Sequence, residues 1–170
     1  RIVQRRLQPV PLRDRLVLAP VEFVHTALPM ADAAAALFFL TGPVASLAAV
    51  SAVLAGTVLF PALLPLLPTP DFSVKGLALG FIVAVPFAIS FGTDPSLPFF
   101  ADALAAASAL LIVPAVVSYL ALNFTGSTTF TSRTGVKREM ARYIRPMAAL
   151  FGLGIGLTLL TVVLRWAGIG

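Results

Sequence analysis

Five long apolar stretches, separated by short polar or proline-rich breaks, make up most of this chain. A bilayer core about 30 Å thick is crossed by roughly 20 apolar residues in a helix, so stretches of that length predict membrane spans. Val44 to Leu67, Gly76 to Gly92, Leu97 to Leu122 and Pro146 to Leu164 meet the criterion. Val21 to Thr41 is a fifth, although it contains Glu22, His25 and Asp32. The expected spans are therefore 21–41, 44–67, 76–92, 97–122 and 146–164, preceded by a basic arm over 1–20. Thr41-Gly42-Pro43 reads as a tight turn between the first two.

Composition narrows the class. Hydrophobic residues form 59% of the 170 and charged residues 11%, with a mean hydropathy of +0.99. A soluble domain carries roughly 25% charged residues, because its surface must face water. So apolar a chain cannot stay solvated and disordered either. The expected fold is an all-α integral membrane bundle of about five transmembrane helices.

The net charge of +5 does not indicate nucleic acid, because the cations sit in short blocks beside apolar segments, where they set membrane orientation. If every stretch crosses and the amino-terminal arm is cytoplasmic, one side holds Arg1, Arg5, Arg6, Arg13, Arg15, Lys75, Arg133, Lys137, Arg138, Arg142 and Arg145. Only Arg165 falls outside. Four spans would put the two basic blocks on opposite faces, against the positive-inside bias. The expected location is the cytoplasmic (inner) membrane, multi-pass, with a cytoplasmic amino terminus. The absence of cysteine excludes disulfides, thiolate metal sites and cysteine nucleophiles in this chain. A first residue of Arg1 rather than Met suggests a piece of something longer.

Small residues provide packing signals. Gly76 and Gly80, and Gly152 and Gly156, have GxxxG spacing, while Ala48, Ala52 and Gly56 recur every fourth position. In lipid, such residues let helix backbones approach closely. Gly152-Leu153-Gly154 is no nucleotide fingerprint, since no strand precedes it.

Polar residues within the spans are the candidates for chemistry. Glu22, His25 and Asp32 fall within one helical arc, together with Pro29. An ionisable stripe at membrane depth normally faces a protein interior or water, which gives a polar seam for proton or ligand contact. The competing reading places Val21 to Met30 at the interface, with Asp32 near a helix start. One His and two carboxylates on one helix make a poor metal site. Asp94 and Asp102 suit the positive end of the fourth span's dipole, and Lys75 can snorkel its amine to the headgroups.

Asn123 to Met140 is the segment that departs most from a plain connector. Seven hydroxyl residues fall from Thr125 to Thr134, interrupted by Gly126 and Phe130 and flanked by Phe124 and Gly135. Side chains of this kind bond to backbone groups or to a docked surface. The docking candidates are Asn123, Thr125, Gly126, Ser127, Thr128, Thr131, Ser132, Gly135, Lys137, Arg138 and Glu139. Lys137, Arg138, Arg142 and Arg145 form a stripe opposite Val136, Met140 and Ile144, the pattern of an interfacial amphipathic helix. Orientation and lipid headgroup contact account for those charges but not for the threonines. Thr134 is expected to cap that helix, and Pro146 to open the last span.

The run Asn123-Phe124-Thr125-Gly126-Ser127-Thr128-Thr129-Phe130-Thr131-Ser132, followed by Gly135-Val136-Lys137-Arg138-Glu139-Met140, resembles the last cytoplasmic loop of the mercury-methylating corrinoid protein family. That family is related to the corrinoid iron–sulfur subunit of the acetyl-CoA pathway. Leu16 to His25 also looks like the family's approach to its membrane region. The resemblance implies a membrane-anchoring and docking domain, with a corrinoid-binding domain upstream of Arg1. It further implies methyl transfer from a cobalamin-type corrinoid to inorganic mercury, and a ferredoxin-like partner with two 4Fe–4S clusters that reduces the cobalt. The family's cobalt-ligating cysteine lies in an Asn-x-Trp-Cys-Ala-Ala-Gly-Lys motif that this chain lacks, so no catalytic, cofactor-binding or metal residue is carried over. The alternative is a small polytopic transporter or channel built on the Glu22, His25 and Asp32 seam. Transport of Hg(II) itself fits poorly, since soft metals prefer thiolates.

Overall fold

The computed structural model of the chain describes residues 19–64, 66, 71–92, 99–124 and 133–167. Every regular element among them is helical, and five helices are long and apolar enough to cross a membrane. The all-α membrane bundle expected from the hydrophobic pattern is what forms.

Helix α1 is Ala19–Thr41. It ends where Gly42 takes φ 99°, a left-handed turn that a residue with a Cβ rarely adopts. The Gly42 N–H donates back to Leu37 and Phe38 carbonyls at 3.1 Å, and Pro43 then starts α2 (Pro43–Leu63). This is the turn that Thr41-Gly42-Pro43 predicts. Helices α3 (Phe72–Gly92), α4 (Phe99–Asn123) and α5 (Arg133–Trp166) follow. Contacts at the two ends show that the helices alternate up and down. At one end Arg165 of α5 donates to the Thr41 carbonyl at 3.1 Å. At the other, Tyr143 of α5 donates to the Asp71 carboxylate at 2.8 Å.

The core lies between α2, α3 and α4. Gly76 and Gly80 bring α3 onto α4 so closely that a Cβ at Gly80 would stand 2.4 Å from Pro114 Cα, and one at Gly76 2.6 Å from Ala121 Cβ. Ser118 Oγ donates across this seam to the Ser73 carbonyl at 2.6 Å. With lipid as apolar as any side chain, close backbone approach and one buried hydrogen bond take the place of a hydrophobic drive. Ala48 and Ala52 of α2 are buried as their spacing suggests. The helix then widens into a π-turn over Ala55–Leu59. Ala55, Gly56 and Thr57, three consecutive residues, are thereby all buried, a broader inward face than a regular α-turn offers. Thr57 Oγ returns to the Val53 carbonyl at 2.7 Å, and Gly56 lies against Leu120.

Several expectations are corrected. The basic segment and the last span are one continuous 34-residue helix, α5, rather than an interfacial helix followed by a separate span. At about 1.5 Å per residue it is about 51 Å long, well beyond the bilayer core. Pro146 therefore lies inside the helix instead of opening it, and Thr134 lies within the helix rather than capping it. A proline there removes one N–H but leaves the neighbouring bonds to carry the helix through, as in other spans. Gly152 and Gly156 have nothing within 4 Å of a built Cβ; Gly154 instead packs on Ile112 of α4. The reason is the spacing of the packed face. Tyr143, Met147, Leu150, Gly154, Leu157, Thr161 and Leu164 are buried or half-buried, in alternating steps of four and three. That is the spacing of a coiled-coil seam, and Gly154 lies on it while Gly152 and Gly156 do not. Finally, α3 starts at Phe72, so Lys75 belongs to its first turn rather than lying outside the span.

Candidate functional site

Two regions carry polar chemistry: the bundle end where α4 leaves and α5 arrives, and the outer face of α1. At the first, Phe60, Phe72 and Phe124 are all buried. Their rings pack with centroids 6.2 Å apart for Phe60 and Phe72, and 6.0 Å for Phe60 and Phe124. Phe124 follows the last residue of α4, so this cluster anchors the point where the hydroxyl-rich segment departs. The segment returns through α5, where the Tyr143 hydroxyl holds Asp71, the residue just before α3. Lys75, one turn on, donates its amine to the Leu64 carbonyl at 3.3 Å and stands 5.8 Å from the centre of the Phe72 ring. It is a helix-end tie as well as a cation at the surface. Arg142 and Arg145 are exposed on α5 at the same level, with the Arg142 guanidinium 5.7 Å from the Tyr143 ring centre. Both roots of the segment are thus seated on one cationic end of the bundle.

Of the docking candidates, Asn123 is the exposed last residue of α4. Thr125, Gly126, Ser127, Thr128, Thr131 and Ser132 lie outside the described residues. Gly135, Lys137, Arg138 and Glu139 are in the backbone of α5, and their side chains lie outside the described set.

On α1, the residues turned toward the bundle are Phe23, Ala27, Met30, Ala34, Leu37 and Thr41, all half-buried. His25, Pro29, Asp32, Ala36 and Phe39 are exposed and follow the same alternation of four and three steps on the other side. Seven residues are nearly two full turns, so His25 and Asp32 lie within about 20° of each other. The helix is peripheral: 6% of its apolar window is buried, against 50% for α4. Side chains of Glu22 and its neighbour Val21 lie outside the described set. Of the three seam candidates, His25 and Asp32 share an exposed side of α1 that points away from the residues packed on the bundle. Asp32 is two residues past the midpoint of α1, about 3 Å along the axis. A carboxylate exposed there to hydrocarbon costs at least about 2.5 kcal/mol.

Sequence reading missed two features. Asp102, assigned to the helix dipole, is also 7% exposed, and its Oδ1 has no hydrogen-bond partner among the described residues. Nothing in the spacing announced its burial, because its buried neighbours on α4, Ala101 and Ala105, read equally well as lipid-facing. The Tyr143–Asp71 bond joins residues 72 apart and has no local signature.

No protein-family model, no curated protein and no solved structure matches the chain. Among the described residues no group of three His, Cys, Asp or Glu side chains could hold a metal ion. The chain has no cysteine, so the cysteine ligand motif of the family that the Asn123 to Met140 run resembles has no counterpart in it. What this arrangement can do is fix the two helix ends that flank residues 125–132, through Phe124 and Tyr143, and present an ionisable helix face within the membrane.

Proposed function

We propose that this chain is the membrane-anchoring and docking domain of a corrinoid-dependent methyltransferase that methylates inorganic mercury. The corrinoid-binding domain precedes Arg1, and the chain lies in the cytoplasmic membrane with its amino terminus inside. The observation that carries the reading is the Asn123 to Met140 sequence, with its resemblance to the last cytoplasmic loop of that family. Support comes from the seating of the segment's two roots. A platform needs fixed ends, and Phe124 and Tyr143 are tied to α2 and to Asp71. The cations Lys75, Arg142 and Arg145 gather at the same end, which the positive-inside bias turns toward the cytoplasm. On this reading the segment touches the corrinoid domain or the ferredoxin-like protein with two 4Fe–4S clusters that reduces the cobalt.

The test uses the full-length protein. Purified, it is expected to show corrinoid absorbance and to methylate Hg(II) with the reduced ferredoxin. Replacing residues 125–132 by a Gly/Ser stretch of equal length should lower methylation at least tenfold while membrane insertion is retained. A full-length protein without bound corrinoid overturns the reading. Undiminished methylation after the replacement overturns the docking role.

A further inference from the structure

The exposed face of α1 needs an occupant. It holds His25, Pro29, Asp32, Ala36 and Phe39 in coiled-coil spacing, turned away from the residues that pack on the bundle. Asp32 is exposed near the middle of a helix long and apolar enough to span the membrane. Ala31, Ala33, Ala35 and Ala36 around it are exposed as well. Small residues beside a polar one let a second helix come close and form an interhelical hydrogen bond, the combination that drives association in lipid.

The chemistry of the face selects among occupants. Lipid tails offer a carboxylate no partner, and a soluble domain cannot reach this depth. A second copy inserts in the same orientation, so pairing α1 with α1 would set Asp32 against Asp32 at equal depth, and like charges repel. The opposite orientation would bring His25 toward Asp32 but would require one copy to defy the charge bias that orients the other. A cationic side chain at the same depth satisfies the carboxylate directly.

We infer that the His25–Asp32 face of α1 docks a transmembrane helix of another protein that carries a basic side chain near mid-bilayer. The inference rests on the placement of α1 alone and is independent of the methyltransferase reading.

The chain has no cysteine, so Ala167→Cys takes a single donor dye. The labelled chain is reconstituted in phosphatidylcholine vesicles with acceptor-labelled polyleucine helices of about 23 residues, tryptophan-flanked, bearing Lys, Leu or Asp at the centre. Energy transfer to the Lys helix is expected at no less than tenfold lower peptide density than to the Leu or Asp helix. Asp32→Leu should reduce the Lys helix to the level of the Leu helix. Asp32→Lys should reverse the preference toward the Asp helix, a gain that no misfolded variant produces. Equal transfer to all three helices overturns the inference, as does a Lys preference that persists in Asp32→Leu. Transfer between labelled copies of the chain that Asp32→Leu abolishes would assign the face to a second copy and overturn it too.

Discussion

Gly80→Ala and Gly152→Ala form a matched pair in which one methyl group is added to two GxxxG glycines of the same chain. At Gly80 the new Cβ would lie 2.4 Å from Pro114 Cα and 3.1 Å from Val117 Cβ. Carbon atoms rest about 3.5–4 Å apart, and the nearest obstacle is backbone, which cannot rotate aside. Helices α3 and α4 must therefore part by about 1 Å along the broadest interface in the bundle. Overpacking of this kind costs about 1–3 kcal/mol. Replacing glycine by alanine inside a helix returns up to about 1 kcal/mol, which leaves a net loss of up to about 2 kcal/mol. At Gly152 a Cβ meets nothing within 4 Å, so only the helix-propensity gain of about 0.5–1 kcal/mol remains. Unfolding followed by circular dichroism in mixed dodecyl maltoside and SDS micelles should find Gly80→Ala less stable than Gly152→Ala by about 0.5–3 kcal/mol. Equal stability of Gly80→Ala and Gly152→Ala, or a Gly80→Ala variant more stable than Gly152→Ala, would refute the packing argument.

Two further variants probe the core in the same micelles. Ser118→Ala removes the 2.6 Å bond to the Ser73 carbonyl and should cost about 0.6 kcal/mol, the average for such bonds between membrane helices; a loss above about 2 kcal/mol would mean that the hydroxyl also supports something else. Phe60→Ala empties the centre of the aromatic cluster, where Phe60 is 0% exposed, and should cost about 3–5 kcal/mol. Little or no loss there would show that Phe124 and Phe72 do not depend on it for their seating.

Helix number and type were legible because crossing a bilayer demands length and apolarity, and both are local properties of a segment. The Thr41-Gly42-Pro43 turn was legible for a similar reason, since positive φ and a proline start have local residue preferences. What was not legible depends on which face of each helix meets another helix. Gly76 and Gly80 read correctly, yet the same motif at Gly152 and Gly156 did not, because lipid and a neighbouring helix attract nearly the same residues. Only the four-and-three spacing from Tyr143 to Leu164 distinguishes the packed face, and it holds Thr161 and Gly154 among ordinary apolar residues. The break expected at Pro146 failed because proline is a weaker punctuation in lipid, where no water competes for the surrounding backbone groups. That His25 and Asp32 share an arc of α1 follows from helix geometry, but the direction of that arc could not be read from one helix.

That direction bears on how the molecule divides its work. Helices α2, α3 and α4 hold Gly56, Gly76 and Gly80, the π-turn and most of the aromatic cluster, and they bury 33–50% of their apolar windows. Helices α1 and α5 bury 6% and 17%, yet they carry His25, Asp32, Arg142, Arg145 and the return of the hydroxyl-rich segment. A bundle that conducted ions along the α1 stripe would need those groups to face an internal, hydrated path, whereas His25 and Asp32 lie on the side away from every other helix. Polar groups at the periphery of a rigid apolar core suit contacts made by the bundle with something outside it. The Tyr143–Asp71 bond and the Phe124 packing then have a mechanical role: they prevent α5 and the end of α4 from turning independently of the core. Such fixed roots lower the ordering cost of any partner that docks between them, because less of the surface must be immobilised on binding.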